Sequence, residues 1–274
     1  QPGGSGWLSL FHCINDPPTF SRLLQQLAEV APQRGVFRLL GPVGPSPYLN
    51  PGLLVDSWDQ WPPSFSPYQP PYLTELVEQS AQRVAESRLF HLPVSPTTVG
   101  QPPPGVRLSP LSPDLLCSRW LPLLQEACQA VVSAPLPDEA EARFLLDWHG
   151  RESIFAWAAE LDGRPVGFVL LQPDLGPPLR GLGGGRGLLQ RVLAPLVFRR
   201  RPEAGRLLFG AVDPDHRGRG VGRLLLDQVL NEAHRRGWAH LAVGPLLAGS
   251  AGAAFLAAAG AEARQTYRLY RWQF

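Results

Sequence analysis

The sequence contains no lysine, no methionine and only three cysteines. All 25 basic residues among the 274 are therefore arginine. Without lysine, the chain cannot use the phosphate-binding lysine of a P-loop, the strand lysine of a protein kinase or a Schiff-base lysine. These three kinds of site are excluded. The missing methionine indicates that Gln1 is not the encoded start, so we expect further residues upstream.

The chain also lacks an excess of charge. Its 25 basic and 23 acidic residues give a formal net charge of +2. Proteins that bind nucleic acids or anionic membranes draw much of their affinity from clustered positive charge. No apolar run reaches the roughly 18 residues of a membrane span, and no signal peptide is evident. We therefore expect neither a nucleic-acid partner nor a membrane partner.

The cysteines are too scattered for a metal site or a disulfide. Cys13, Cys117 and Cys128 form no CxxC motif, and the histidines show no metal-ligand spacing. A helix predicted over residues 113–133 would separate Cys117 from Cys128 by roughly 16 Å. Free thiols are typical of a reducing compartment, so the sequence predicts a cytoplasmic protein without a metal.

Proline divides the chain into two parts. Nineteen of the 31 prolines lie in residues 1–110, and five of them in residues 93–105. We expect residues 98–105 to be a linker between a domain at 1–97 and a domain at 106–274. Residues 41–71 interleave proline and glycine with aromatics, which predicts an ordered loop packed over a surface. The aromatics of 58–72 would pack between the two parts or form an apolar lid or pocket.

Local signals mark several helices and strands. Asp16 followed by Pro17 predicts a helix start, and Asp162-Gly163 predicts a two-residue hairpin turn. Further helices are predicted over 71–83, 137–148, 188–199, 220–236 and 250–259, with strands over 36–40, 87–92, 153–161, 164–172, 206–212 and 239–243, and a final strand or hairpin over 262–273.

The most informative segment runs from residue 207 to 237. An apolar strand is followed by DPDH, by RGRGVG at 217–222 and by a predicted helix. Glycines permit close backbone approach, and the free amides and dipole of a helix N-terminus favour an anion. Arg217 and Arg219 add guanidinium donors suited to phosphate oxygens. The segment predicts a phosphate-binding loop, although a glycine-rich turn that binds nothing is the alternative.

Two kinds of phosphate loop fit this segment poorly. The glycines run G-x-G-x-G, whereas a dinucleotide fingerprint needs G-x-G-x-x-G with an acidic residue about 20 positions later. A P-loop needs lysine. The pattern V-x-P-x-x-R-G-x-G-x-G instead resembles the coenzyme A pyrophosphate loop of the GNAT acetyltransferase superfamily, with matches at Arg217, Gly220 and Gly222.

The resemblance covers residues 106–274 and implies an α/β fold, with a mixed, mostly antiparallel sheet flanked by helices. It also implies acetyl-CoA as the cofactor. The strand ending at Ala211 and Val212 would then hydrogen-bond the pantetheine arm. The pyrophosphate would be held by a set of loop and helix residues: Arg217, Gly218, Arg219, Gly220, Val221, Gly222 and Arg223.

Residues 1–97 look like the back half of another such domain. The segment 41–72 resembles a signature of the first domain in some tandem members of the superfamily. The corresponding connection INDPP at 14–18 contains no glycine or arginine, so we infer that it cannot cradle a pyrophosphate. The resemblance therefore implies a partial, degenerate GNAT-like domain ahead of the complete one.

The sequence departs from the family where catalysis is usually completed. Leu256 stands where the resemblance implies a tyrosine acid, and Gly249 stands where it implies an asparagine. Tyr267 and Tyr270 are expected to be packing residues on the last strand. Water is the remaining proton donor.

A general base must take the proton of the attacking amine. Glu160 and Asp213 are the leading candidates and Glu152 is a third. Asp213 has an alternative role as a turn residue before Pro214, and Glu160 as a solvated strand end. His216 is expected to be an exposed loop residue. The arginines at 199–201 would be solvated, or they would meet the cofactor's 3′-phosphate or an acidic substrate.

Together these features predict an acetyl-CoA-dependent N-acetyltransferase. A small-molecule or peptide amine would attack the thioester directly in a ternary complex. The alternative is a non-catalytic coenzyme A-binding or interaction protein of the same fold. The resemblance leaves a homodimer open.

Overall fold

The computed structural model describes residues 4–49, 51–129, 134–181 and 202–274, which contain both helices and strands. The strands are β1 Gly4–Ser9, β2 Val36–Val43, β3 Leu53–Leu54, β4 Gln82–Pro93, β5 Val106–Pro110, β6 Phe155–Leu161, β7 Arg164–Pro173, β8 Ala204–Val212, β9 His240–Leu247 and β10 Glu262–Gln273. The helices are α1 Pro17–Gln33, α2 Pro71–Glu78, α3 Leu121–Cys128, α4 Glu139–Trp148, α5 Gly176–Gly181, α6 Val221–Arg235 and α7 Ala251–Ala258. The predicted helix over 188–199 and the arginines at 199–201 lie outside the described residues.

The strands form one mixed sheet. Their order is β1-β2-β10-β4-β9-β8-β7-β6-β5, and β3 pairs with β10 beside this path. The pairs β1 with β2 and β8 with β9 are parallel, and the other pairs are antiparallel. The predicted fold class, α/β with a mostly antiparallel sheet flanked by helices, is confirmed. Of the helices in the described ranges, none is long and apolar enough to cross a bilayer.

The two parts of the chain share this sheet. Strand β10 lies between β2 and β4, and β4 in turn lies between β10 and β9. Tyr270 of β10 pairs with Gly41 on one side and with Arg83 on the other. Residues 1–97 and 106–274 are therefore joined by backbone hydrogen bonds as well as by the chain.

Alternating side chains in the central strands separate two cores. Ala158 of β6 and Phe168 of β7 face a core built with α3 and α4. Their neighbours Ala159 and Val169 face a second core built with α6 and α7. This two-residue period explains why β6 and β7 are apolar on both faces. A third core lies in the N-terminal part, where α1 and α2 pack near Tyr270 and Trp272.

The two predicted signals, the Asp16 helix start and the Asp162-Gly163 turn, are present, and the structure adds a third cap at Asp138. The Asp16 carboxylate accepts a hydrogen bond of 3.0 Å from the Thr19 amide at the start of α1. Asp162 and Gly163 have φ angles of 49° and 75°, the left-handed pair that a tight hairpin turn requires. The Asp138 carboxylate caps α4 through the Glu141 amide at 2.8 Å. These short-range features depend only on neighbouring residues.

The single helix predicted over 113–133 is wrong. A 3-10 turn, Pro113–Cys117, is followed by a break, and α3 then begins at Leu121. Pro122 accounts for the break, because proline lacks an amide and disfavours helical geometry in the preceding residue. Cys117 and Cys128 therefore lie on different elements, and both thiols are free and buried. The final segment is one strand, β10, and not a hairpin.

The contact between β8 and the end of α6 gives a stability prediction. A Cβ at Gly205 would lie 2.1 Å and 2.2 Å from Trp238 ring atoms and 2.8 Å from Leu241. We expect Gly205→Ala to lower the free energy of unfolding by about 1–3 kcal/mol, because this packing has no room for a methyl group. Gly210→Ala on the same strand is the control, since its nearest contact would be 3.5 Å. Chemical denaturation measures both; equal losses would contradict the packing argument.

Candidate functional site

Strands β8 and β9 pair over only part of their length. The ladder joins Ala204 to His240 and ends where Leu207 meets Val243. Beyond that point β8 stays paired with β7, whereas β9 stays paired with β4. The two strands therefore diverge, and from Leu208 onward the edge of β8 that faces β9 has no strand partner among the described residues. Backbone amides and carbonyls along this edge are available to a ligand.

A β-bulge lies where the strands separate. Leu170 of β7 pairs with Phe209, but the next residue, Leu171, pairs with Leu207. Leu208 is therefore the extra residue. A bulge bends the strand and redirects its side chains, and bulges are frequent beside active sites. This one turns β8 away from β9.

The loop after β8 is held by Arg217. Its Nε donates a hydrogen bond of 3.1 Å to the carbonyl of Val212, and its guanidinium forms an ion pair with Glu126 of α3. Gly218 and Gly220 have φ angles of 71° and 87°, which favour glycine over other residues. The structure thus gives Arg217 a positioning role, because it ties the loop to both β8 and α3.

The N-terminus of α6 is open to an anion. Gly220 is its N-cap residue, and no side chain in the described part of the chain caps this end. The first amides of a helix have no acceptor within the helix, and they carry the positive end of its dipole. A Cβ at Gly222 would approach nothing closer than 3.7 Å. Arg219 is exposed beside these amides, while Arg223 is paired with Asp227 at 2.8 Å. The residues present therefore fit a bound pyrophosphate.

A cavity of about 120 Å³ lies between the diverging strands. Its walls come from both parts of the chain. Strand β8 contributes Leu208 and Phe209, β9 contributes residues 244–247, and the proline-rich segment contributes Tyr48, Leu49 and Phe65. Arg206, Cys128 and His149 complete a polar region of the lining. The predicted role of the aromatics at 58–72 as a pocket wall thus applies to Phe65.

His149 is enclosed by aromatic rings. Its ring lies edge-to-face with Phe65 at 5.1 Å and with Phe209 at 6.1 Å between centroids. Burial, and secondarily the charge of Arg206, lowers its pKa to about 3. The imidazole is therefore neutral at physiological pH, which makes it a hydrogen-bonding group but a weak base.

Of the predicted base candidates, Asp213 lies just before the loop at 217–222, and Glu160 lies near the end of β6, where it pairs with Pro165 of β7. The Asp213 amide bonds the Val166 carbonyl at 2.9 Å, and its carboxylate accepts from the Asp215 amide at 2.9 Å and contacts His216 Nδ1 at 3.2 Å. Asp213 thus serves as a turn residue. Glu160 forms an ion pair of 3.1 Å with Arg119. Neither carboxylate lines the cavity.

The residues considered as proton donors are occupied elsewhere. Leu256 is buried in the core beside α6. The Tyr267 hydroxyl donates to Gln265 at 3.3 Å, and the Tyr270 hydroxyl to Glu78 at 2.9 Å. Burial raises the pKa of both tyrosines. Both serve as packing residues of β10, as expected.

The comparison with protein families decides the classification. Residues 118–252, about half of the chain, match the acetyltransferase (GNAT) family. The chain belongs to the GNAT superfamily. The matched range contains the diverging strands, the bulge and the loop at 217–222. The match supports acyl-CoA N-acetyltransferase activity in general terms.

Solved GNAT structures share the fold over most of the chain. A tandem GNAT protein from the clavulanic acid biosynthesis pathway is 15% identical with a TM-score of 0.57, covering 92% of this chain and 69% of that one. A GCN5-related N-acetyltransferase from Sphaerobacter thermophilus is 16% identical with a TM-score of 0.54, covering 92% and 67%. At such identities the likeness shows the fold alone. No curated protein matched significantly.

Sequence reasoning missed the polar part of the GNAT cavity. Arg206, His149 and Tyr48 come from three distant segments, and no spacing rule connects them. One signal was present, since Arg206 is the only charged residue in the otherwise apolar strand β8. A charged residue in such a strand is rarely buried without a specific reason.

Proposed function

We propose that this GNAT protein is an acetyl-CoA-dependent N-acetyltransferase that acylates a primary amine. The observation that carries the proposal is the open edge of β8, which leads directly into the uncapped N-terminus of α6. This arrangement suits a ligand with an amide-containing arm and a pyrophosphate, because the arm can bond the strand edge and the pyrophosphate can bind at the positive end of the helix.

The backbone of Ala211 and Val212 would bond the arm, and the amides of residues 217–223 would hold the pyrophosphate. Arg217 would act mainly by fixing the loop, given its bonds to Val212 and Glu126. When bound, acetyl-CoA supplies an acyl group activated as a thioester. The diverging strands leave space for an amine beside this group.

Amides on the open edge of β8 would donate to the oxygen on which negative charge develops as the amine attacks. Such donors are fixed before the reaction, so they stabilise the transition state without reorganisation. The apolar cavity walls limit access of water and strengthen these interactions. Direct attack needs no covalent bond to the protein.

Tyr48 is our candidate for the proton donor to the departing sulfur. It lines the cavity, and its buried hydroxyl has no hydrogen-bond partner among the described residues. Burial raises its pKa to about 12, so the phenol stays protonated at neutral pH. Glu160 and Asp213 as general bases stay predictions.

Residues 1–97 would form a partial, degenerate GNAT-like domain, joined through 98–105 to the complete domain at 106–274. Tyr48, Leu49 and Phe65 give this part a role in the site, since they supply one wall of the cavity. Three free, buried thiols agree with a reducing, cytoplasmic location.

A second function is favoured by Leu256. Because this buried side chain cannot donate a proton, a protein that binds coenzyme A without turnover is the alternative. It predicts binding with no release of free thiol. Acetylation of a small-molecule or peptide amine would distinguish the enzyme from the binding protein.

We expect acetyl-CoA to bind with a dissociation constant well below 1 mM in titration calorimetry. We also expect free thiol to appear when a reactive primary amine is added. A panel of amino acids, amines and peptides tests the second step. Heat of binding without thiol release would support the binding-only function, and absence of binding at millimolar acetyl-CoA would rule out both.

A further inference from the structure

We propose that the inner end of the cavity binds a ligand carboxylate through the guanidinium of Arg206. The identity of the ligand rests on the proposed function, whereas the carboxylate site itself does not. Either the acceptor amine or the acyl group would carry the carboxylate. The acceptor would then resemble an amino acid, or the acyl group would end in a carboxylic acid.

Arg206 is a buried cation with incomplete pairing. Its residue is 5% exposed, and it lies one position before the end of the β8–β9 ladder. One terminal nitrogen donates to the Gly244 carbonyl at 3.2 Å, and the other to the Ser64 carbonyl. Its Nε has no partner among the described residues. The two carbonyls hold the guanidinium at the point where the strands diverge, and the Nε–H is among the donors left without an acceptor.

No carboxylate of the 23 acidic residues forms a direct ion pair with the Arg206 guanidinium. All 23 acidic residues lie in the described ranges, and none forms an ion pair with Arg206 within 4.0 Å. Asp174 stabilises the charge from a greater distance. Its carboxylate already accepts from the amides of Ser64 at 2.8 Å and Gly176 at 2.9 Å. Burying an unpaired charge is costly, so its presence in a core calls for a partner.

Two further unpartnered groups share the cavity with Arg206. His149 Nδ1 and the Tyr48 hydroxyl are both buried and lack partners within the described part of the chain. His149 is neutral, so the wall carries one positive charge and no negative one. Burial lowers the pKa of Arg206 to about 10, which still leaves it charged at neutral pH. A positive donor beside two neutral hydrogen-bonding groups suits a carboxylate.

The size and position of the cavity fit a small acid. Its 120 Å³ is several times the 10–15 Å³ that one water needs, so a carboxylate with a short carbon chain fits. Arg206 lies six residues from Val212 along β8, roughly 20 Å at the usual strand rise. The carboxylate site is therefore well separated from the phosphate loop.

The first experiment needs no coenzyme A. N-acetylglycine and N-acetylglycinamide differ only in the acid, and each is added to the full-length protein during thermal unfolding. We expect the acid to raise the melting temperature and the amide to have at least a tenfold weaker apparent affinity. Arg206→Gln should abolish the difference, because an amide side chain offers the acid no positive charge.

Ala127→Leu gives a second variant that leaves the guanidinium intact. Ala127 lines the cavity, and the larger side chain reduces its volume. This variant should also lose the acid-dependent stabilisation, and it remains informative if Arg206→Gln does not fold. Equal effects of acid and amide on the wild-type protein would overturn the proposal, as would a preference for the acid that survives both variants.

The second experiment separates the two sources of the carboxylate. Thiol release is measured with acetyl-CoA and succinyl-CoA, and with glycine and glycinamide as acceptors. If glycine is preferred over glycinamide by tenfold and Arg206→Gln removes this preference, the site binds the carboxylate of the acceptor. If succinyl-CoA is preferred over acetyl-CoA by tenfold and Arg206→Gln removes this preference, the site binds the carboxylate of the acyl group. If neither coenzyme A thioester binds, the proposed function fails, while the melting experiment still decides the carboxylate site.

Discussion

Gly222→Asp is expected to weaken coenzyme A binding by about 100-fold, or about 2.7 kcal/mol. The substitution places a negative charge in the first turn of α6, where the pyrophosphate would lie. Two like charges 4 Å apart near a protein surface repel by about 4 kcal/mol, which is sufficient for this loss. The side chain has room, since a Cβ there meets nothing within 3.7 Å.

Gly222→Asn is the matched control, because it has nearly the same shape without the charge. An acidic residue in the first helical turn stabilises the helix dipole, so Gly222→Asp should be at least as stable as Gly222→Asn. Calorimetry with coenzyme A and thermal unfolding measure the two properties. Equal affinities for Asp and Asn would show that the pyrophosphate does not bind at this helix end.

Leu269→Pro is expected to lower the free energy of unfolding by at least about 4 kcal/mol, a loss at the extreme of single substitutions. Leu269 is buried in β10, where it pairs with Ala85 of β4, and the next residue pairs with Gly41 of β2. Proline lacks the amide and is found in sheets almost only at edges and bulges. The register shift beside Leu269 has its extra residue, Val84, on β4, so β10 itself carries no extra residue there. Domain stabilities are about 5–15 kcal/mol, so much of the protein should be unfolded.

Leu269→Val is the control that keeps the backbone amide, with an expected loss of about 1 kcal/mol. Circular dichroism during urea unfolding compares the two variants. A mild effect of proline, close to that of valine, would mean that β10 is not an interior strand of the sheet.

Short-range features of this protein followed from its sequence. The Asp16 cap and the Asp162-Gly163 turn depend on residues three positions apart or fewer, so local chemistry determines them. The loop at 217–222 was also recognisable, because its glycines and arginines are contiguous with the strand and helix that flank it. The outer half of the candidate site was therefore predictable.

The inner half was not predictable from local patterns. Arg206, His149 and Tyr48 meet only because β8 diverges from β9 and because the N-terminal part joins the same sheet. The prediction of one helix over 113–133 was wrong for a different reason. The apolar periodicity continues through Pro122, but the backbone constraint of this proline breaks the helix. The continuous sheet itself was not foreseen from a proline-rich boundary.

The position of β10 in that sheet constrains the order of folding. This strand follows β2 and β4 in the chain by a long interval, yet it lies between them. The gap between β2 and β4 cannot close until β10 has been synthesised and inserted. Contacts between such distant segments slow folding, because loop entropy is lost before the pairing is gained. The cavity wall that includes Tyr48 and Phe65 is thus expected to be among the last parts of the molecule to form, because it depends on the insertion of the final strand.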